Sequence, residues 1–377
     1  MKIALLSGAV KNAGDYLITD RCSQVLQAVY PDAEISRYIR NHPLPQEQLE
    51  EVNDADCVII GGGPCYKRNL YPDSIPFVSD LKLVKPKIFM MGCGWYGAVT
   101  SPAEIWNYKF SSSSMEFLNR VVSDSGVLGC RDYYAVRVLQ ANGFRNSLMT
   151  GCPAWYDLGK LGARLPAKTE IHSIAVSDPA DVVHYGAQSL AICRYLKGRY
   201  PDAQLHYVFH RGTKADQYTG QKKATAAEEL SVRLRDEGIT VHDIAYGSAG
   251  FSLYDGCDLH VGHRVHAHIY NLSQRKRSIL IEEDSRGAGV NEPLGLWSIK
   301  AYHRKKTGAS PLLVKAYSKV FGYPLPNPYV VDDLQAYLNC LENTDFRLMN
   351  QAFSQMEAYY ENMLAYTLNI RKKLEEA

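Results

Sequence analysis

The nine cysteines of this 377-residue sequence include no Cys-x-x-Cys pair, which removes zinc ribbons and thioredoxin-type redox motifs, and their odd number disfavours a closed disulfide framework. A reduced, cytoplasmic compartment fits that usage best. No window approaches the roughly 20 apolar residues of a membrane span, and the apolar opening at residues 3–6 is too short for a signal peptide. Net charge is scarce too: Lys and Arg number 42 against 40 Asp and Glu, leaving +2, with no strongly basic half or tail. That balance argues against a general nucleic-acid or membrane-surface binder, so any anion binding must be local. Internal repeats, low-complexity tracts and a His-Glu-x-x-His zinc signature are absent as well. Peripheral contact with lipid-linked material at the inner face of a membrane stays open.

What is present is a folded, soluble composition, 46% hydrophobic and 22% charged, over a length that calls for about two domains. Strand-like runs at 2–7, 55–60, 87–91, 127–130 and 147–150 alternate with helical patterns at 15–29 and 133–142, the second closed by Gly143. Residues 151–168, with Pro153, Gly159, Gly162 and Pro166, break the pattern as a linker. Strands at 172–176, 204–209, 258–262 and 279–282 then alternate with helices at 187–199, 224–237 and one opening near Val265. The class is α/β with parallel sheets. From residue 345, Phe346, Met349, Phe353, Met356, Tyr360, Met363 and Leu364 recur at three- and four-residue steps, which predicts one long amphipathic helix. Packing is its expected role, with a membrane surface met through Arg371, Lys372 and Lys373 as the alternative. The expected organisation is an N-terminal domain over 1–158, a C-terminal domain over 169–330 and a terminal helix over 345–377.

Ligands of open α/β sheets bind beyond the carboxyl ends of the strands, and five such places carry chemistry. After the first strand, Asn12, Gly14 and Asp15 form a tight turn in which Asp15 is either an ordinary helix cap or a site carboxylate. Gly61, Gly62 and Gly63 let backbone approach a ligand closely, and Lys67 and Arg68 just beyond could meet an anionic or sugar acceptor. Residues 92–97 spell a dinucleotide fingerprint, but the next helix signal waits until Ser101-Pro102, so these glycines do not open a helix as pyrophosphate binding requires. Trp95 and Tyr96 there suit stacking on a sugar face. Arg131 can fork onto a carboxylate or phosphate while Asp132 caps the next helix. The fifth place is the most specific: Gly262-His263-Arg264-Val265-His266-Ala267-His268 crosses from strand to helix where backbone N–H groups lie unpaired, an anion pocket. Metal binding is not expected, because a strand-to-helix turn splays His260, His263, His266 and His268, and His260 and His268 read as packing residues.

Asn12, Gly14 and Asp15, the triple glycine, Gly92 and Gly94, Arg131-Asp132 before a helix ending at Gly143, and Arg264-Val265-His266-Ala267 together resemble the polysaccharide pyruvyltransferases, over most of the chain up to about residue 295. The resemblance implies two Rossmann-like domains facing across a cleft, as in GT-B glycosyltransferases, with the long terminal helix bracing them. It implies a phosphoenolpyruvate co-substrate, no cofactor, and a glycan or lipid-linked oligosaccharide acceptor of exopolysaccharide or cell-envelope synthesis. Arg131, Arg264 and His266, with His263 beside them, would hold the donor. The first domain would hold the acceptor through Gly62, Gly63, Lys67, Arg68, Trp95 and Tyr96. His266 is the expected proton donor or phosphate partner, since its charge changes near neutral pH, and Asp15 or Asp132 the base. A GT-B glycosyltransferase using a nucleotide sugar is the alternative enzyme. A carbohydrate-binding or regulatory protein on the same scaffold is the alternative of another class.

Overall fold

A computed structural model of the chain describes residues 1–97, 102–166, 170–303, 312, 316, 319–320 and 324–376. Ser101 of the delayed helix signal, the end of the linker and the expected domain start at 169 lie outside the described residues. The chain divides into two compact units, one of residues 1–10, 14–162 and 354–377, the other of residues 11–13 and 163–353.

The first unit is built on a parallel sheet in the order β2-β1-β3-β4, with β1 at Lys2–Ser7, β2 at Glu34–Ile39, β3 at Cys57–Gly61 and β4 at Lys87–Met91. All five residues of β3 are buried, whereas the outer strand β2 exposes Glu34, Ser36 and Arg37. Helices α1 (Ala13–Val29), α2 (Gln46–Asn53), α3 (Pro102–Trp106), α4 (Ser112–Ser125) and α5 (Tyr133–Ala141) alternate with the strands. Two short strands, β5 (Leu128–Cys130) and β6 (Ser147–Met149), pair in parallel, and the backbone of Cys93 pairs in parallel with that of Cys130. As the sequence predicts, the glycines after β4 open no helix, since the next described one begins at Pro102.

The second unit holds a six-stranded, wholly parallel sheet in the order β12-β11-β10-β7-β8-β9. Its strands are β7 (Ser173–Ser177), β8 (Gln204–Phe209), β9 (Thr240–Asp243), β10 (Leu259–Gly262), β11 (Arg277–Glu282) and β12 (Ile299–Lys300). Helices α6 (Val182–Arg199), α7 (Gln221–Asp236), α8 (Val265–Ser273), α9 (Ser285–Leu294) and α10 (Val330–Asn343) follow in turn. β10 and β11 lie inside the sheet and are buried along their whole lengths, so that their polar residues His260, Arg277, Ser278 and Glu282 are buried with the apolar ones.

The final helix, α11, spans Arg347–Glu375. Its Met349 and Phe353 are buried in the second unit, and its Met356, Met363, Tyr366 and Ile370 in the first. Arg371, weighed above as a membrane contact, stacks on the ring of Tyr30 at 5.1 Å, and Tyr30 Oη donates to the carbonyl of Thr367 at 2.5 Å. No helix among the described residues is long and apolar enough to cross a membrane.

Candidate active site

In the second unit, chemistry gathers where β7, β8, β10 and β11 end. β10 meets β7 so closely that a Cβ on Gly262 would lie 2.4 Å from Ser177 Oγ and 2.6 Å from the Ser177 backbone, so only glycine fits. Ser177 Oγ then accepts the N–H of Arg264 at 3.1 Å, fixing the turn into α8. Arg264 occupies the N-cap position with no side-chain cap beneath it, so the first-turn N–H groups of α8 keep the partial positive charge of a helix start.

The Arg264 guanidinium forks onto Asp178, with Nε to Oδ1 and Nη2 to Oδ2 both at 2.6 Å, and Nη2 also reaches the carbonyl of Pro179 at 3.3 Å. Asp178 Oδ1 additionally accepts the backbone N–H of His210 at 3.1 Å. His210, at the end of β8, is fully buried; its Nε2 meets Tyr254 Oη at 2.7 Å and its Nδ1 has no partner among the described residues. Burial, then the charges of Arg264, His260 and His266, push its pKa well below the usual range. His266 itself sits half-buried in the first turn of α8.

From β11 comes a second, parallel arrangement. Asp284 caps α9 by accepting the N–H of Arg286 at 2.9 Å, and the Arg286 guanidinium folds back on it, Nη2 to Oδ2 at 2.5 Å. Arg286 is close enough to Arg264 to act against its charge. Between them Glu283 accepts the N–H of Ala180 at 2.7 Å, and its carboxyl is raised to about 7, chiefly by burial, so that near neutral pH it is substantially protonated.

His260, His263 and His268 each meet a polar side chain. His260 links Ser278 and Ser177 at 2.8 and 2.9 Å, and His268 links Ser278 and Asn291 at 2.7 and 2.9 Å. His263, placed with the donor set on the resemblance, is buried, with Nε2 3.2 Å from Gln188 Oε1 and its ring stacked on Tyr185. Burial, then Arg264, holds it down to about 3, so it is neutral.

The first unit carries the remaining predicted residues. Arg131 is buried, its Nε 3.1 Å from Asp132 Oδ2 and its Nη2 without a partner among the described residues. A Cβ on Gly94 would meet that guanidinium at 2.5 Å. Asp132 caps α5 by accepting the N–H of Ala135 at 2.8 Å and is equally buried, so both of its oxygens are engaged. Gly62 and Gly63 turn through the left-handed region after β3. Asp15 and Lys67 line a cavity of about 120 Å³ with Arg40, Asn41 and Cys65. Arg68 and Trp95 line another of about 480 Å³, with Glu104, Asn107, Tyr108 and Lys109. Trp95 is buried edge-on against Tyr108, while Tyr96 is exposed beneath Lys67.

Asp178, His210, Glu283, Arg286 and Arg40 were not predicted. Three of them were within reach, because Asp178, His210 and Glu283 directly follow β7, β8 and β11, all predicted as strands, and the strand-end rule applied there points to them.

Two solved structures share the fold across nearly the whole chain. One is S. aureus MnaA in a co-structure with UDP, 12% identical with a TM-score of 0.54, covering 98% of this chain and 97% of its own. The other is a protein assigned as a UDP-N-acetylglucosamine 2-epimerase from Listeria monocytogenes, 10% identical with a TM-score of 0.52, covering 94% and 90%. The expected α/β, GT-B-like fold is thereby established. No curated protein matches the sequence. The family model described as polysaccharide pyruvyl transferase matches residues 12–285, well over half of the chain, and takes in the turn at Asn12, both glycine segments, Arg131 and the whole β10–α8 junction. The chain belongs to the polysaccharide pyruvyl transferase family.

Proposed function

We propose that the protein transfers the pyruvyl group of phosphoenolpyruvate to two hydroxyls of a glycan or glycan precursor, forming a ketal and releasing phosphate. The observation that carries this reading is the uncapped start of α8, flanked by Arg264 and His266 and neighboured by Arg286 at the start of α9. Phosphoenolpyruvate bears close to three negative charges, and helix N-termini and arginines are the protein groups suited to them. Asp178 neutralises Arg264 but also locks its plane, so its remaining N–H groups are presented without a search through rotamers. A protonated Glu283 adds no repulsion.

The reaction requires a proton on the methylene carbon of phosphoenolpyruvate and attack by one hydroxyl on C2. The C2–O bond to phosphate then breaks, and a second hydroxyl captures the resulting cation. Two protons leave the hydroxyls, one replacing that delivered to carbon and one departing with phosphate. His266 is the proton donor or phosphate partner in this scheme. Asp15 or Asp132 is the base. The first unit takes the acceptor, with Lys67, Arg68 and Trp95 lining its two cavities and Tyr96 exposed beside Lys67. Nine free thiols, eight of them buried, support action in a reducing cytoplasm.

Thermal unfolding with phosphoenolpyruvate, beside a panel of nucleotide sugars, tests the donor without knowledge of the acceptor. At 100 times its dissociation constant a ligand stabilises by about 2.7 kcal/mol. A shift with phosphoenolpyruvate, abolished by Arg264→Ala, is expected. A shift with a nucleotide sugar alone would replace this reading with glycosyl transfer.

A further inference from the structure

The first unit holds a buried cation whose hydrogen bonds are only half made. Arg40 follows β2 and is 7% exposed. Its Nη1 donates to the carbonyls of Gly61 at 3.2 Å and Gly62 at 3.0 Å, while among the described residues no acceptor meets Nε or Nη2. The sequence makes room for it: a Cβ would approach Nη2 within 2.5 Å on Gly63 and 3.0 Å on Gly8. A guanidinium packed against two glycines and held by two carbonyls has its Nε–Nη2 edge fixed in direction, and such an edge can fork two parallel hydrogen bonds onto a carboxylate or phosphate.

This edge belongs to a residue lining the cavity of about 120 Å³, beside Lys67, Asn41, Asp15 and Cys65. Two cations stand there against one carboxylate. The Cys65 thiol is drawn below its ordinary range, first by the Cys93 thiol and, against burial, also by Arg40, Lys67 and Arg131. Burying a guanidinium is costly unless its donors are met, and water or an anion in the cavity must meet the two that protein leaves.

We propose that this cavity binds an oxyanion of the acceptor, the carboxylate of an acidic sugar or a phosphate, forked on Arg40 Nε and Nη2 with Lys67 as the second cation. Asn41 and Asp15 on the same wall suit the hydroxyls of the sugar that bears it. That the cavity binds an oxyanion stands on the first unit alone; that the oxyanion belongs to the acceptor rests on the pyruvyl-transfer reading.

The full-length protein is titrated with glucuronate, inorganic phosphate and uncharged glucose. Calorimetry and the arginine Nε–H resonances in ¹⁵N–¹H spectra follow binding in wild type, R40K, K67Q and R264Q. The Arg40 resonance, assigned by its loss in R40K, should move with glucuronate or phosphate and not with glucose; the anion that moves it identifies the source. Affinity should fall about 10-fold in R40K, which keeps the charge and loses the fork, and several-fold in K67Q. R264Q should leave the movement of the Arg40 resonance as it is in wild type. If R40K does not fold, K67Q and the wild-type resonance decide. Equal binding by wild type and K67Q with an unmoved Arg40 resonance, or binding lost only in R264Q, overturns the site. Phosphoenolpyruvate displacing glucuronate from wild type and R264Q alike overturns the assignment to the acceptor. No thermal response to phosphoenolpyruvate, with anion binding at Arg40 intact, removes the transfer reading and leaves the oxyanion cavity standing.

Discussion

Arg264 and Asp178 meet as a two-pronged ion pair, both contacts 2.6 Å, with side chains 11% and 4% exposed. The pair joins the end of β7 to the start of α8, so one interaction both closes the sheet edge and orients the guanidinium. A cation already paired attracts an incoming trianion less than a bare one would. It also holds its plane before the ligand arrives, and for a planar donor set that orientation is the larger share of recognition.

A double-mutant cycle separates the two roles. Arg264→Gln and Asp178→Asn each leave a buried charge uncompensated and should destabilise the protein by about 3 kcal/mol. The double variant should lose about 4 kcal/mol instead of the additive total of about 6, a coupling of about 2 kcal/mol by urea unfolding. Phosphoenolpyruvate binding should return in neither Arg264→Gln nor the double variant. Additive losses in stability would mean that the fork is only a surface contact.

His266→Ala should lower turnover by about 10² to 10⁴, the usual range for general acid catalysis, with the affinity for phosphoenolpyruvate changed only a few-fold. A fall in affinity with turnover preserved would instead assign His266 to phosphate binding. Single-turnover measurement of phosphate release, once an acceptor is in hand, reads the two apart.

Some of this was legible in the residues and some was not, for physical reasons. β1 and β4 carry unbroken apolar runs, at residues 3–6 and 88–91, because both faces of a parallel sheet are covered, so they stand out in the sequence. β2 does not, because as an outer strand it exposes Glu34, Ser36 and Arg37, and missing it hid Arg40 one residue beyond its end. Helix α9 was hidden by Gly287, Gly289 and Pro293, which read as loop residues, and Arg286 went with it. The fork of Arg264 onto Asp178, 86 residues apart, is a product of strand order and no local pattern announces it. The expectation of Arg264 as an open anion clamp therefore missed its partner.

Glu283 makes donor binding depend on pH. Its carboxyl is raised to about 7 by burial, and an anion placed beside it favours the protonated form further. Binding phosphoenolpyruvate between about pH 7 and 8 should then take up a fraction of a proton, and affinity should weaken as pH rises through that window. Calorimetry in buffers of different ionisation enthalpy counts the proton. Glu283→Gln should abolish that uptake, and comparison with it removes the ionisation of phosphoenolpyruvate itself.

Acid should unfold the second unit earlier than its carboxylates alone would require. His263 is held to about 3 and His268 to about 4, in both cases mainly by burial, and His210 and His260 are pushed well below the usual range. Each is neutral when folded and takes up a proton when unfolded below about pH 6.5, so the stabilisation is complete above that pH and is lost as pH falls. Glu283 works in the opposite sense, being protonated in the folded state and ionised in the unfolded state between about pH 4.5 and 7. Four protons gained less one leaves a net uptake of about three on unfolding near pH 5.5, or about 4 kcal/mol of stability per pH unit. Urea unfolding at closely spaced pH values between 5 and 6.5 measures that slope directly. His263→Gln, which keeps a polar group facing Gln188, should reduce it by about one proton, whereas a flat profile would show that these rings already carry charge in the folded protein.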